Sequence, residues 1–405
     1  MFLLRFTLGL FTVATLAGCV SYSPQPLVSE TTRAYLEGRR LTDEGLGRFL
    51  AAHGQAGGEW ELSRLTLAAL YFNPTLEVAR AQLREAEAGM KTAEARPNPT
   101  FSFAPTYHRD TPGGMTPWIL GYALALPIET AGKRTHRTRE AGYRAEVAHL
   151  RVAESAWAVR SAVRHALVGL QSAEAAAELW RTQVPLLADS AGLVDAQVNA
   201  GDVSPLLAAQ ARIALHRAEL AGRESDRAVV AARIGLAQAV GVSVGALADV
   251  RLSYRGLLDA PAPAGTDQTR LWAVQNRADL LAELAAYAVA EVALQGEVAR
   301  QYPDVSFKPG YDLDQGAGKW SLGVSFTLPI LNQNQGPIAV AKARREVAAA
   351  RFVALQSRVL AEVDRAVADY ASAAGDLETI KALRESLERL DPVSYTHLTL
   401  PTNRE

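Results

Sequence analysis

A single cysteine among 405 residues leaves no intrachain disulfide to form. Past the first few residues no run of ~18 uninterrupted apolar side chains occurs, so the sequence offers no membrane-spanning helix. The 42 basic residues are matched by 43 acidic ones, and the basic stripe expected for a nucleic-acid partner is missing. The seven histidines (53, 108, 136, 149, 165, 216 and 397) include no i, i+4 pair, and only three methionines exist. A strong resident metal site is therefore not expected. No Gly-rich phosphate cradle appears either, so no nucleotide energy is harvested here. No cofactor, metal site or catalytic residue is expected.

What is present is a long internal repeat. Trp-x-Leu-Gly-x-x-x-x-Leu-Pro-Ile occurs at Trp118–Ile128 and again at Trp320–Ile330, 202 residues later. An offset of that size signals duplication of an architectural half. In the second copy Trp320, Leu322, Val324, Phe326 and Leu328 share one face, with Ser321, Gly323, Ser325 and Thr327 on the other. Period two makes these phrases strands with one apolar and one polar face. Each has a partner strand before it. Pro99–His108 alternates Phe101, Phe103, Pro105 and Tyr107 with small or polar residues, and Pro303–Asp312 alternates Val305, Phe307, Pro309 and Tyr311 with Asp304, Ser306, Lys308 and Gly310. Gly- and Asp-rich loops at Asp110–Gly114 and Asp314–Gly318 join the partners, giving one β-hairpin per half.

Strands of about ten residues with Trp and Tyr near their ends fit a membrane β-barrel. Four strands cannot close such a barrel, and open sheet edges are forbidden in lipid, so several chains would have to complete it.

The remainder reads as helix. One apolar seam runs through Val152, Val159, Ala166 and Ala173 with Ala156, Val163, Leu170 and Ala177. Its second copy runs through Phe352, Val359, Ala366 and Ala373, with Gln356, Val363, Tyr370 and Leu377. A helix of about 55 residues at ~1.5 Å each is too long for a compact bundle. It stops near Asn199 and Gly201, with Asp202 or Ser204 capping the return helix that starts at Pro205. A further helix precedes each hairpin, at Glu59–Glu94 and Thr269–Arg300, and Ser243–Gly265 links the halves.

The N-terminus carries Arg5, a short apolar run at Phe6–Thr15, and then Leu16-Ala17-Gly18-Cys19. This pattern predicts a signal peptide over residues 1–18. The last four residues resemble a bacterial lipobox. By that resemblance Cys19 is lipidated, residues 19–58 form the lipidated N-terminal segment, and Val20 implies sorting to the outer membrane.

Helix, hairpin and long helix pair, repeated behind a lipobox, resembles the TolC-like outer membrane factors of tripartite efflux systems. Asn73-Pro74, Pro97-Asn98-Pro99 and Ala200–Ser204 carry the resemblance. The segments Leu126-Pro-Ile-Glu-Thr-Ala-Gly-Lys-Arg134 and Leu328-Pro-Ile-Leu-Asn-Gln-Asn-Gln-Gly336 resemble the CzcC-like heavy-metal branch.

The fold class this implies is mainly α: duplicated long α-helical hairpins plus four amphipathic strands. A homotrimer would form an α-barrel and a 12-stranded β-barrel. The first repeat covers 59–242, with its hairpin at 99–128 and helix pair at 131–242. After a linker at 243–265, the second covers 266–390, with its hairpin at 303–330 and long helix at 337–390.

The resemblance further implies a passive outer membrane channel extending into the periplasm. Its partners are outer membrane lipid, a periplasmic adaptor and an inner-membrane pump, and its cargo is heavy-metal cations, with a multidrug or type I secretion channel as the alternative. Ser306, Lys308, Ser321, Ser325 and Thr327 would face the lumen. Trp118, Tyr122, Phe307, Tyr311, Trp320 and Phe326 would face lipid. Asp195, Asn199, Gly201, Asp202 and Ser204 would form the periplasmic tip, gate and docking surface.

Other classes fit less well. Gly241-Val-Ser-Val-Gly245 matches a hydrolase elbow, but a helix precedes it where a strand is needed. A periplasmic adaptor would hold one helical hairpin, and a coiled-coil scaffold would need no amphipathic strands. Past Leu390 the repeat fails: Pro392 is expected to break the helix. Residues 391–405 read as a non-native tail, Val393–Thr402 resembling a translated transposase-adaptor sequence.

Overall fold

The computed structural model describes residues 20–111, 113–257 and 265–398. The signal peptide, Cys19, the end of the linker and residues 399–405 lie outside them. In chain order the elements are α1 (Ser29–Gly38), α2 (Glu44–Ala52), α3 (Leu62–Phe72), α4 (Pro74–Glu94), β1 (Thr100–Tyr107), β2 (Trp118–Ile128), α5 (Lys133–Ala200) and α6 (Pro205–Val240). There follow α7 (Val244–Ala248), α8 (Thr266–Asn276), α9 (Ala278–Ala299), β3 (Val305–Asp314), β4 (Ala317–Phe326) and α10 (Gln335–Leu398). They divide into two units. One combines the residues up to Arg64 with Gly169–Ser253, and the other combines Leu65–Val168 with the residues from Tyr254 onward.

In the first unit the Asp43 carboxylate caps α2 by accepting the Leu46 amide at 2.9 Å. Leu46 and Leu50 are then buried, each contributing about 2 kcal/mol of apolar transfer. Trp60 forms a parallel bridge to Leu252, and the Arg39 guanidinium donates to the Gly241 carbonyl at 2.9 Å. Gly241 ends α6 at φ 85°, where a side chain would be strained, and the Val242 amide closes back on the Ala237 carbonyl. Three short helices lie outside the repeats, α1 and α2 within residues 19–58 and α7 within the linker; helices this short are set by caps and packing more than by apolar periodicity.

In the second unit the helix ahead of each hairpin is broken in two, correcting the single helices expected at Glu59–Glu94 and Thr269–Arg300. Asn73 caps α4 by accepting the Thr75 amide at 2.9 Å, and Pro74 occupies its first turn. The matching break lies at Arg277, whose guanidinium binds Asp279 at 2.8 Å and Glu362 of α10 at 2.8 Å. Arg270 to Asp364 and Arg345 to Glu291 extend this ladder of pairs along α10.

All four strands form one antiparallel sheet in the order β1-β2-β3-β4. The two duplicated hairpins meet along β2 and β3, with Tyr122 opposite Tyr311 and Leu126 opposite Phe307. The β3–β4 connection is a two-residue turn, tighter than the five-residue loop expected. Gln315 and Gly316 both have positive φ, 53° and 97°, which matches the strand twist. β4 stops at Phe326 opposite Val305, short of the expected Ile330. The chain before Val305 turns away to other partners, and Pro329 has no amide to offer a ladder.

The helical seam is buried at Val159, Val163, Leu170 and Ala177, and at Val359 and Val363 in the second copy. From Ala366 onward that second seam is exposed, Tyr370 and Leu377 included. α10 also continues through Pro392 to Leu398, past the end expected at 390. A proline removes one helix hydrogen bond and strains the turn before it without obliging the chain to leave the helix; α5 likewise contains Pro185.

Candidate functional site

Alternation along each strand and antiparallel register together put every residue of one parity on one face. Phe103 opposes Tyr122, which in turn opposes Tyr311, which opposes Trp320. Trp118, Tyr122, Phe307, Tyr311, Trp320 and Phe326 therefore share one surface, and all but the half-buried Tyr311 are exposed. Three ring contacts knit it together: Phe103–Tyr122, Tyr107–Trp118 and Tyr311–Trp320, with centroids 5.1, 5.0 and 4.8 Å apart. Trp320 is 84% exposed, far from what an aromatic in a watery environment adopts for stability.

The opposite face is small and polar. Ser306 opposes Ser325, Lys308 opposes Gly323, and Gly310 opposes Ser321. Thr327 lies beyond the strand end. This face also carries charges that alternation could have found: Asp312 and Asp314 share Lys308's parity on β3, and Lys319, opposite Asp312, shares Ser321's on β4. The Lys319 ammonium binds Asp314 at 2.5 Å. Glycines keep the face low. A Cβ on Gly121 would sit 2.9 Å from the Asp312 carboxylate and 3.3 Å from the Ala104 carbonyl. β1 and β4 are the sheet's outer strands, each paired on one side within the chain.

At the ends of β2 and β3 the sheet is clasped to the helices. The Thr130 amide and the Lys133 ammonium both reach the Asp304 carboxylate, at 2.9 and 2.7 Å, while the Thr130 hydroxyl donates to the Pro303 carbonyl at 2.6 Å. Burial opposes ionisation of Asp304, but Lys133 and Thr130 outweigh it and hold the carboxyl below its ordinary range. Arg137 grips both oxygens of Glu129 and donates to the carbonyls of Ala93 and Ala95, while Arg134 donates to that of Glu94. These bonds cap the C-terminal end of α4, where helix carbonyls lack partners. The Arg137 hydrogen bond is also the main reason the Glu129 carboxyl is held low. In the second copy the Asn334 amide group donates to the Glu297 carbonyl at 2.7 Å and its carboxylate at 2.9 Å. The junction motifs thus sit at the two strand-to-helix connections.

The turn between α5 and α6 brings together Asp195, Asn199, Gly201, Asp202 and Ser204. Gly201 adopts φ 85°, and the Asp202 amide closes on the Gln197 carbonyl at 2.9 Å. Ser204 is the residue before α6, without a side-chain capping bond, and Pro205 begins the helix. Asp195 is ion-paired: the Arg212 guanidinium reaches both of its oxygens, at 2.8 and 3.2 Å. Gly241–Gly245 follows helix α6, and Ser243 stands at the start of α7. The strand-turn-helix that exposes a nucleophilic serine is absent there. Among the described residues no group of three or more His, Cys, Asp or Glu is placed to hold a metal ion, and no helix is long and apolar enough to cross a membrane.

Residues 66–242 match the outer membrane efflux protein family. No curated protein matches the chain. Among solved structures the chain resembles CusC, described for conformational changes accompanying folding and transmembrane channel formation, at 16% identity and TM-score 0.67, covering 84% of this chain and 83% of that one. It resembles the outer membrane protein VceC of Vibrio cholerae at 18% identity and TM-score 0.68, covering 88% and 89%. The outer-membrane channel OprN aligns at 19% identity and TM-score 0.70, covering 95% and 90%. The fold of the chain is the one these three structures share.

Proposed function

We propose that this chain, whose residues 66–242 match the outer membrane efflux protein family, is the outer membrane channel of a tripartite efflux system. One observation supports the reading above the rest: a four-stranded sheet with an exposed aromatic face, a polar face, and outer strands each paired on one side only. In lipid, every unpaired backbone group on those edges would cost several kcal/mol, so copies of the chain must pair β4 of one with β1 of the next. Three copies would make a 12-stranded barrel. Trp118, Tyr122, Phe307, Tyr311, Trp320 and Phe326 would then face lipid, while Ser306, Lys308, Ser321 and Ser325 line the lumen and Thr327 borders it.

The α5–α6 turn would form the periplasmic end. Asp195, held by Arg212, and Asp202 would narrow the passage there and meet a periplasmic adaptor and inner-membrane pump. Lipidation at Cys19 would anchor the chain. The cargo proposed is heavy-metal cations, on the resemblance of the junction motifs at Leu126–Arg134 and Leu328–Gly336 to the CzcC-like branch. Transport of drugs or secreted proteins is the competing cargo.

Purified protein in planar bilayers is expected to show stepwise conductance and to run as a trimer in detergent. A monomer without conductance would sink the channel reading. Deletion of the gene, with metal and drug tolerance measured in parallel, addresses cargo: loss of metal tolerance alone supports the metal branch, and loss of drug tolerance alone overturns it.

A further inference from the structure

Where β2 passes into α5 and α9 into β3, the second unit carries an open cavity of about 520 Å³ lined almost wholly by charge, with Arg344 exposed at it. Five basic side chains face four acidic ones across it, which leaves one positive charge over. Each acid is already engaged. Glu129 is gripped by Arg137 and Asp304 by Lys133, while Glu140 pairs with Arg144 and Glu297 with Arg300. Asn334 adds a hydrogen bond to Glu297, and Thr130 adds another to Asp304. The remaining cation is Arg344. Of the nine ionisable groups it alone has no ion pair or side-chain hydrogen bond among the described residues.

An unneutralised guanidinium in a concave, protein-walled space focuses its field on the volume in front of it. Its planar fork matches an oxyanion with two oxygens to share, above all a phosphate. We infer that the cavity binds a compact phosphate-type anion, with Arg344 as the contact residue and the surrounding ion pairs as its fixed walls.

The shared chemistry could come from free phosphate or from a phospholipid headgroup. A headgroup is a source to test because the cavity adjoins the ends of strands whose other extent carries the exposed aromatic face.

The test uses the full chain, delipidated in a non-ionic detergent, titrated calorimetrically with inorganic phosphate and, separately, with a short-chain phosphatidylglycerol. Binding of either probe is expected, weakening with added salt. Arg344→Gln should lower affinity at least tenfold while Arg344→Lys retains part of it. Glu140→Gln, which raises the cavity's net charge by one, should tighten binding. Response to phosphate identifies a free anion as the ligand, and response to the lipid alone identifies a headgroup. Binding of neither probe, binding undiminished in Arg344→Gln, or affinity indifferent to Glu140→Gln would each overturn the inference. These outcomes are independent of conductance, so a failed site and a failed channel reading can be told apart.

Discussion

Gly132 and Asn334 occupy the same point of the two duplicated strand-to-helix junctions, 202 residues apart, and both hold the backbone in the left-handed region, at φ 70° and 64°; Ala131, next to Gly132, is left-handed too, at φ 53°. The conformation reverses the chain between strand and helix while leaving neighbouring side chains free to clasp. In the first copy Thr130 and Lys133 reach across to Asp304, and in the second Asn334 itself reaches Glu297. Duplication has kept the backbone geometry and exchanged the side-chain chemistry.

Alanine pays about 1 kcal/mol or more to sit in the left-handed region, and glycine gives back part of that through the unfolded chain. Ala131→Gly is therefore expected to be neutral or to stabilise by up to ~1 kcal/mol. Ala131→Val should destabilise by more than that. Thermal unfolding followed by circular dichroism in detergent checks both, and a stabilising valine would contradict the strain argument.

The polar face of the sheet tolerates growth unevenly. A Cβ at Gly121 would meet the Ala104 carbonyl at 3.3 Å as well as Asp312, whereas at Gly323 the nearest atoms are an ordinary 3.5 and 3.6 Å away. Gly121→Val is expected to cost ~1–3 kcal/mol by overpacking and to reduce assembled protein, with Gly323→Ala close to wild type. Yield of trimer on native gels reads the difference.

Asp195 and Arg212 form a partly exposed pair, so Asp195→Ala should cost at most about 1 kcal/mol of stability. If the α5–α6 turn is the gate, the same change should raise single-channel conductance measurably. Unchanged conductance, with the fold intact, would remove Asp195 from the gate.

Acid should weaken the second unit. The Arg277 hydrogen bond holds the Asp279 carboxyl below its ordinary value, and Arg137 does the same for Glu129. A carboxyl with a lowered folded-state pKa contributes stability above its unfolded-state value and loses it as pH falls through the folded-state value. Thermal midpoints are thus expected to hold from neutral pH to about pH 5 and to drop below it. Asp279→Asn should lower the midpoint at pH 7 and flatten the decline. A decline of unchanged steepness in that variant would refute the assignment.

Cys19 is the chain's sole cysteine, so a single substitution tests the anchor. Cys19→Ser is expected to abolish incorporation of labelled palmitate in cells. Label persisting in the variant would place the acyl chain elsewhere, and a wild-type protein without label would refute lipidation.

Much of this was legible in one dimension. Strict alternation assigned Phe307, Tyr311, Trp320 and Phe326 to one face, because side chains on a strand can point only two ways. The heptads marked Val159, Val163 and Val359 as buried, and Gly201 marked a helix end, because those signals are local. The halves' helical breaks were partly visible: Asn73-Pro74 carries a cap and a proline, whereas Arg277 carries neither and is held by Asp279 and a distant Glu362.

By itself, then, the sequence determined the duplication, the strands and their two faces, the long helices and their turn. Each follows from repeats or periodicities within a short stretch of chain. Only the tertiary structure decided that β2 pairs with β3 so that the two copies make one sheet, that Asp304 belongs to Thr130 and Lys133, and that Arg344 meets no counter-charge among the described residues. Those outcomes depend on backbone and side-chain bonds between residues far apart in sequence, and no local pattern records which partner a hydrogen-bonding group will meet.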